Sequence, residues 1–100
     1  MALDLVVCHH ENDWPVLGEV GLAFVHGDPR VASIGWWTAA AARGQGVASR
    51  AVRMLMGWAV GPLDLTEVMA DIDPANRASV AVAEGAGFVA SGPRRWCLTA

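Results

Sequence analysis

The sequence predicts a single mixed α/β domain, a sheet of about six strands with two helices, in the order β-β-β-α-β-α-β-β. Three observations predict it. Apolar runs in the first third are parted by short turns, as in an antiparallel meander. From Gly46 to Val60 the apolar spacing changes to a helical period. A strand, a second helix and two more short strands then follow, which calls for one right-handed crossover to a parallel neighbour.

The elements follow in order. Leu3 to His9 reads as a short strand, and Glu11-Asn12-Asp13-Trp14-Pro15 as a turn. Val16 to Val25 reads as a second strand, His26-Gly27-Asp28-Pro29 as a second turn, and Val31 to Thr38 as a third strand. In the first helix Val47, Ala48, Ala51, Val52, Leu55, Trp58 and Ala59 share the inner face, with Ser49, Arg50 and Arg53 opposite; Gly61-Pro62 stops it. Leu63 to Ile72 is the next strand. Val68, Ala70 and Ile72 lie on one face, Glu67, Met69 and Asp71 on the other. Asp73-Pro74-Ala75-Asn76 opens the second helix with Asp or Asn as cap. Ala78, Val82, Ala83 and Ala86 give that helix its inner face, and Gly85 and Gly87 end it. Phe88 to Ala90 and Trp96 to Thr99 are the last strands, joined by Gly92-Pro93.

Composition narrows the function. With 54% hydrophobic and 17% charged residues, the chain is too apolar for disorder. It also lacks the ~20 continuous apolar residues of a spanning helix, which argues against a membrane protein. Met1-Ala2-Leu3-Asp4 has no basic n-region, so a cytoplasmic location is expected. Net charge is −3 and all 7 cations are arginine, a poor match to nucleic acid. Arg43, Arg50 and Arg53 nevertheless cluster, which suits a small anionic ligand as well as a solvated helix face. Cys8 and Cys97 lack CxxC spacing and read as two small buried hydrophobes. Cys8-His9-His10-Glu11 alternates across a strand and does not converge on one ion, so no metal is expected.

The densest chemistry lies in Arg43-Gly44-Gln45-Gly46-Val47-Ala48-Ser49, between a strand and a helix. The first turn of a helix leaves backbone N–H groups unpaired, and the dipole adds about half a positive charge there. Glycines let the backbone approach a phosphate closely. Gly44 through Ser49 therefore form a cradle for a diphosphate, with Arg43 at its side and the Ser49 hydroxyl as one more donor. Two glycines also suit a plain strand-to-helix turn. A Walker-type loop is excluded because G-x-x-x-x-G-K-S/T is absent, and a dinucleotide loop is disfavoured because Ser49 stands where its last glycine belongs.

Arg43-x-x-Gly46-x-Ala48 resembles the Q/R-x-x-G-x-G/A motif of the GNAT N-acetyltransferase superfamily. Ile34-Gly35-Trp36-Trp37 through Ala48 looks like the branch that contains ribosomal-protein alanine acetyltransferases. A second match follows: Asp73-Pro74-Ala75-Asn76-Arg77-Ala78-Ser79, then Ala83-Glu84-Gly85-Ala86-Gly87-Phe88, which is similar to the family's N-x-x-S helix ending in G-F. The likeness runs from Leu5 to the C-terminus, and both motifs in order make it specific.

The resemblance implies acetyl-CoA, or another acyl-CoA, as co-substrate, bound where two parallel strands splay apart, here Val31–Thr38 and Leu65–Ile72. It implies that main-chain groups of Trp36, Trp37 and Thr38 bind the pantetheine arm, one N–H stabilising the oxyanion. Gly44, Gln45, Gly46, Val47, Ala48 and Ser49 would hold the diphosphate, and Asn76 would contact the pantetheine region. Trp36 and Trp37 point to opposite faces, one into the core and one to the cleft; Trp14, Trp58 and Trp96 are expected in the core or an interface. Two departures stand out. The tyrosine that many members use as general acid would fall at Ala83, which leaves Ser79 as substitute; Asp71 occupies the place of the glutamate base some members carry, with Glu67 as a weaker alternative. The chain also begins almost at the meander, without the usual preceding strand and two helices, a truncated version of the fold. An open sheet edge and apolar surface then call for a homodimer or a partner chain. The implied activity is acetyl transfer to a primary amine, of a small molecule or a peptide N-terminus. The alternatives are a non-catalytic acyl-CoA-binding module and an assembly subunit of a larger transferase.

Overall fold

The computed structural model describes residues 2–8, 16–25 and 27–99. Its elements are β1 (Ala2–Val7), β2 (Gly18–Phe24), β3 (Val31–Thr38), α1 (Val47–Val60), β4 (Glu67–Asp71), α2 (Arg77–Gly85), β5 (Val89–Ala90) and β6 (Arg95–Thr99). The expected order is therefore observed, with one addition, a 3-10 turn at Ala40–Ala42 before the glycine loop. The turn at 11–15, Trp14 and the His9-His10-Glu11 stretch lie outside the described residues.

The strands form one sheet in the order β1-β2-β3-β4-β6-β5. β1, β2 and β3 make the antiparallel meander, and β3 and β4 are the parallel pair that the α1 crossover joins. Alternation sorts the side chains. Val20, Leu22, Ala32, Ile34, Val68, Ala70 and Ile72 are buried and form one cluster with Val52, Leu55, Met56 and Ala59 of α1 and Ala83 of α2. Both helices thus cover the same face. No polar or charged residue is buried among those described.

Several boundaries moved for local reasons. β4 begins at Glu67 rather than Leu63 because the return from α1 consumes the intervening residues: Leu63 N–H donates to Trp58 C=O, Leu65 N–H to Ala59 C=O, and Asp64 takes a left-handed φ of 55°. α2 begins after Asn76, since Asp73 instead closes a turn onto Ala75 N–H at 2.9 Å. It ends in a Schellman motif: Gly87, at φ 93°, donates to Glu84 C=O, and Phe88 N–H donates to Ala83 C=O. Trp58 is exposed rather than buried, because it sits on the flank of a stripe centred on Val52, Leu55, Met56 and Ala59. Ala78 is likewise exposed, and Trp96 packs against the core.

The opposite face of the sheet carries no helix among the described residues. Val6, Trp37 and Val89 stand on it at 57%, 51% and 68% exposure. Asp4, Glu19, Glu67, Asp71 and Arg95 share that face by register.

Candidate active site: the gap between β3 and β4 and the loop before α1

The parallel pairing of β3 with β4 runs from Val31↔Glu67 to Ile34↔Ala70 and stops there. β3 continues to Thr38 beside β2, while β4 stays with β6 through Asp71↔Arg95. The two strands therefore part after Ile34 and Ala70. Main-chain groups of one strand alternate between its two neighbours. Ala39 N–H donates to Leu17 C=O and Val25 N–H to Val31 C=O, so the odd-numbered residues of β3 face β2. Trp36 and Thr38 consequently turn their N–H and C=O groups toward the gap. Trp37 does not: its main chain is committed to Glu19, and its side chain stands on the open face. Trp36 instead combines the two roles expected of the pair. It packs against the core and lines the clefts.

Two clefts meet at this gap. The larger, of about 540 Å3, is bounded by Trp36, Trp37, Thr38, the loop from Arg43 to Ser49, and Asn76, Ala78, Ser79 and Val82 of α2. That is within the range of ligand pockets. The smaller, of about 160 Å3, lies where the strands diverge, between Ile34–Trp36 and Ala70–Asp73, and shares Trp36, Asn76 and Ser79 with the first. The two clefts are therefore neighbours, one beside the glycine loop and one beside the parting strands.

Gly44 and Gly46 both adopt positive φ, 78° and 74°. An L-residue costs about 1–2 kcal/mol in that region, which is the local reason for both glycines. The first helical hydrogen bond runs from Arg50 N–H to Gly46 C=O at 3.1 Å. The N–H groups of Gly44 through Ser49 precede it and have no acceptor among the described residues. Gln45 is tied back through its amide to Ala41 C=O at 3.4 Å, and Arg43 Nε donates to Thr38 C=O at 3.3 Å. Arg43 thereby bridges the gap-facing end of β3 and the loop.

Asn76 is the cap of α2, and Ser79 N–H donates to its Oδ1 at 3.1 Å. Its amide nitrogen remains for a ligand. The Ser79 hydroxyl is half-buried in both clefts and has no partner among the described residues. Asp71 reaches the smaller cleft from the other side; Arg94 Nε donates to its Oδ1 at 2.9 Å, and the same guanidinium lies 3.9 Å from Asp73 Oδ2. That clasp was not legible from sequence spacing. Glu67 lies at the far end of β4, away from the lining residues. Ala83 is fully buried and lines neither cleft. No cluster of metal-ligating side chains occurs among the described residues, and no helix is long and apolar enough to cross a membrane.

Comparison with known proteins gives this geometry a setting. A family profile described as "Acetyltransferase (GNAT) domain" matches residues 2–89. Mycobacterium smegmatis RimJ, solved with CoA-disulfide, is 27% identical with a TM-score of 0.84, over 99% of this chain and 53% of that one. A ribosomal-protein-S5-alanine acetyltransferase from Vibrio fischeri is 20% identical with a TM-score of 0.78, covering 84% of this chain and 54% of that one. A variant of the spermidine N-acetyltransferase SpeG from Vibrio cholerae is 20% identical with a TM-score of 0.84, over 98% and 65%. The latter two share the fold. This chain spans between half and two thirds of the length of all three. No curated protein matches it in sequence.

The Asn76 cap gives a direct check. Asn76→Ala should cost about 1 kcal/mol of stability, and Asn76→Asp should restore most of it; urea denaturation of the three proteins measures both.

Proposed function

The chain belongs to the GNAT acetyltransferase family, and on that premise we propose that it binds acetyl-CoA in the cleft before α1 and transfers the acetyl group to a primary amine. The observation that carries this reading is the row of unpaired N–H groups from Gly44 to Ser49, which opens onto the gap between β3 and β4. Acetyl-CoA, when bound, supplies a thioester already activated toward amines.

The residues divide the work. The amides of Gly44 through Ser49, with the Ser49 hydroxyl and Arg43, hold the diphosphate against the N-terminus of α1. The gap-facing groups of Trp36 and the Thr38 N–H take the pantetheine arm as a strand would take its neighbour, helped by the Asn76 amide, while the Thr38 C=O accepts from Arg43. Trp36 N–H lies nearest the point where β4 leaves, and it donates to the oxygen on which negative charge develops. Asp71, at the mouth of the smaller cleft, accepts the proton that the acceptor's ammonium loses so that the neutral amine can attack; Ser79 is the hydroxyl placed to protonate the departing thiolate. The acceptor is a small-molecule amine or a peptide N-terminus, in the cytoplasm.

A second reading has its own support. The chain has no tyrosine, and the one oxygen of Asp71 with a described partner is taken by Arg94. A non-catalytic acyl-CoA-binding module, or an assembly subunit of a larger transferase, would need neither acid nor base. The uncovered sheet face, with Val6, Trp37 and Val89 exposed, supports a homodimer or a partner chain in either case.

Three outcomes are expected. Titration calorimetry should detect CoA and acetyl-CoA binding, and Gly46→Glu should weaken it on the order of a hundredfold by placing a carboxylate in the cradle; unchanged affinity would move the diphosphate elsewhere. In a thiol-release assay over an amine panel, Asp71→Asn should lower the transfer rate ~100-fold or more while CoA affinity stays within about twofold. A wild-type protein that binds CoA and releases no thiol would select the binding module. Light scattering at micromolar concentration should return twice the chain mass, and a clean monomer would reject the homodimer.

A further inference from the structure

We propose that the cleft under the β5–β6 hairpin takes a free α-amino acid as the acceptor, with Arg95 holding its carboxylate. The inference rests on the transferase reading above and names the substrate class which that reading leaves open.

The observation behind it is a charge pair that does not form. Arg95 of β6 and Asp71 of β4 are direct cross-strand partners. Side chains so placed share a face, with Cβ atoms about 4.5–5.5 Å apart, and opposite charges there attract. Asp71 Oδ1 accepts instead from Arg94 Nε at 2.9 Å, and the same guanidinium lies 3.9 Å from Asp73 Oδ2. Arg95 is left exposed, with neither a carboxylate partner nor a side-chain hydrogen bond among the described residues. Asp71 Oδ2 likewise has no partner among them.

Both groups border one cavity. A cleft of about 620 Å3 opens on the helix-free face of the sheet, and Met69, Asp71, Pro93, Arg94 and Arg95 are among the residues that line it. Asp71 is the one carboxylate in that lining, and Arg94 already balances it. The charge left over is the Arg95 guanidinium. Its planar fork matches a carboxylate in a bidentate pair. The free oxygen of Asp71 is an acceptor for an ammonium beside it.

Position ties this cleft to the coenzyme reading. Asp71 lines it and also lines the smaller cleft between the parting strands. An acceptor seated here keeps its amine at Asp71 and its anionic group across the strand pair at Arg95. An α-amino acid carries ammonium and carboxylate on one carbon, which suits two anchors that stand directly opposite each other. Met69 and Pro93 give its side chain an apolar wall. A polyamine would set a second cation against Arg95, and a peptide N-terminus would set a neutral amide there.

The test is a thiol-release assay at low salt with acetyl-CoA. It compares α-amino acids, their primary amides and spermidine on the wild type, Arg95→Gln and Arg95→Lys. The wild type should favour amino acids over the matching amides about tenfold in kcat/KM, mainly through KM. In Arg95→Gln that ratio should fall to within about twofold of one, and Arg95→Lys should restore part of it. A wild type that uses the amides or spermidine as well as the amino acids would overturn the proposal. So would a ratio that survives in Arg95→Gln. Were CoA bound and no thiol released from any amine, the transferase reading would fall, and NMR titration with leucine and leucinamide would judge the cleft separately. Shifts at residues 91–95 with leucine alone would uphold the carboxylate site; no shifts, or equal shifts with both, would remove it.

Discussion

The site depends on a pairing that ends early. In a sheet, every main-chain N–H and C=O facing a neighbour is satisfied by that neighbour. Between β3 and β4 this holds only as far as Ile34 and Ala70, and β3 then runs on toward Thr38 with one side open. The groups exposed there are aligned as for another strand, and any extended molecule with amide groups can take that place. The glycine loop follows the same strand, so the open strand and the unpaired helix amides border one cleft. The rest of the molecule serves to keep the two strands apart. α1 packs on β2 and β3, and β4 stays paired with β6 through Asp71.

Much of this was readable in the residues. The bounds of β3 were as expected, and α1 began one residue later than expected, because β-branched runs, glycines and helical spacing are local signals. The two motifs that carried the family resemblance, around Arg43–Ala48 and Asn76–Phe88, lie in the structure against one cleft. What was not readable is non-local or has no periodic signal. The run Ala39–Ala42 gives no period, and its 3-10 turn went unseen. The sequence places Trp36 and Trp37 on opposite faces without saying which faces the helices; the register answers that in favour of Trp36. Trp58 fitted a helical count but lay too far round the stripe. The Arg94–Asp71 contact joins residues 23 apart through a hairpin whose geometry spacing does not encode.

Among the described residues the sheet is covered by helices on one face only. Its helix-bearing face holds the core, and its other face mixes charged residues with exposed Val6, Trp37 and Val89. That mixture resembles the composition of many protein interfaces more than that of a core. Trp37 connects this face to the ligand cleft, since it belongs to the strand that lines the cleft while its side chain stands on the open side. An occupant of the open face would therefore touch the same strand that lines the cleft.

The Arg94 clasp has a consequence of its own. Its groups are more than half exposed, 55% for Arg94 and 77% for Asp71. An ion pair so placed adds little to the folding free energy and is screened by added electrolyte. It does, however, join Asp71 at the end of β4 to Arg94 in the last hairpin. Added electrolyte thus weakens this one link between β4 and the last hairpin while leaving the apolar interior intact.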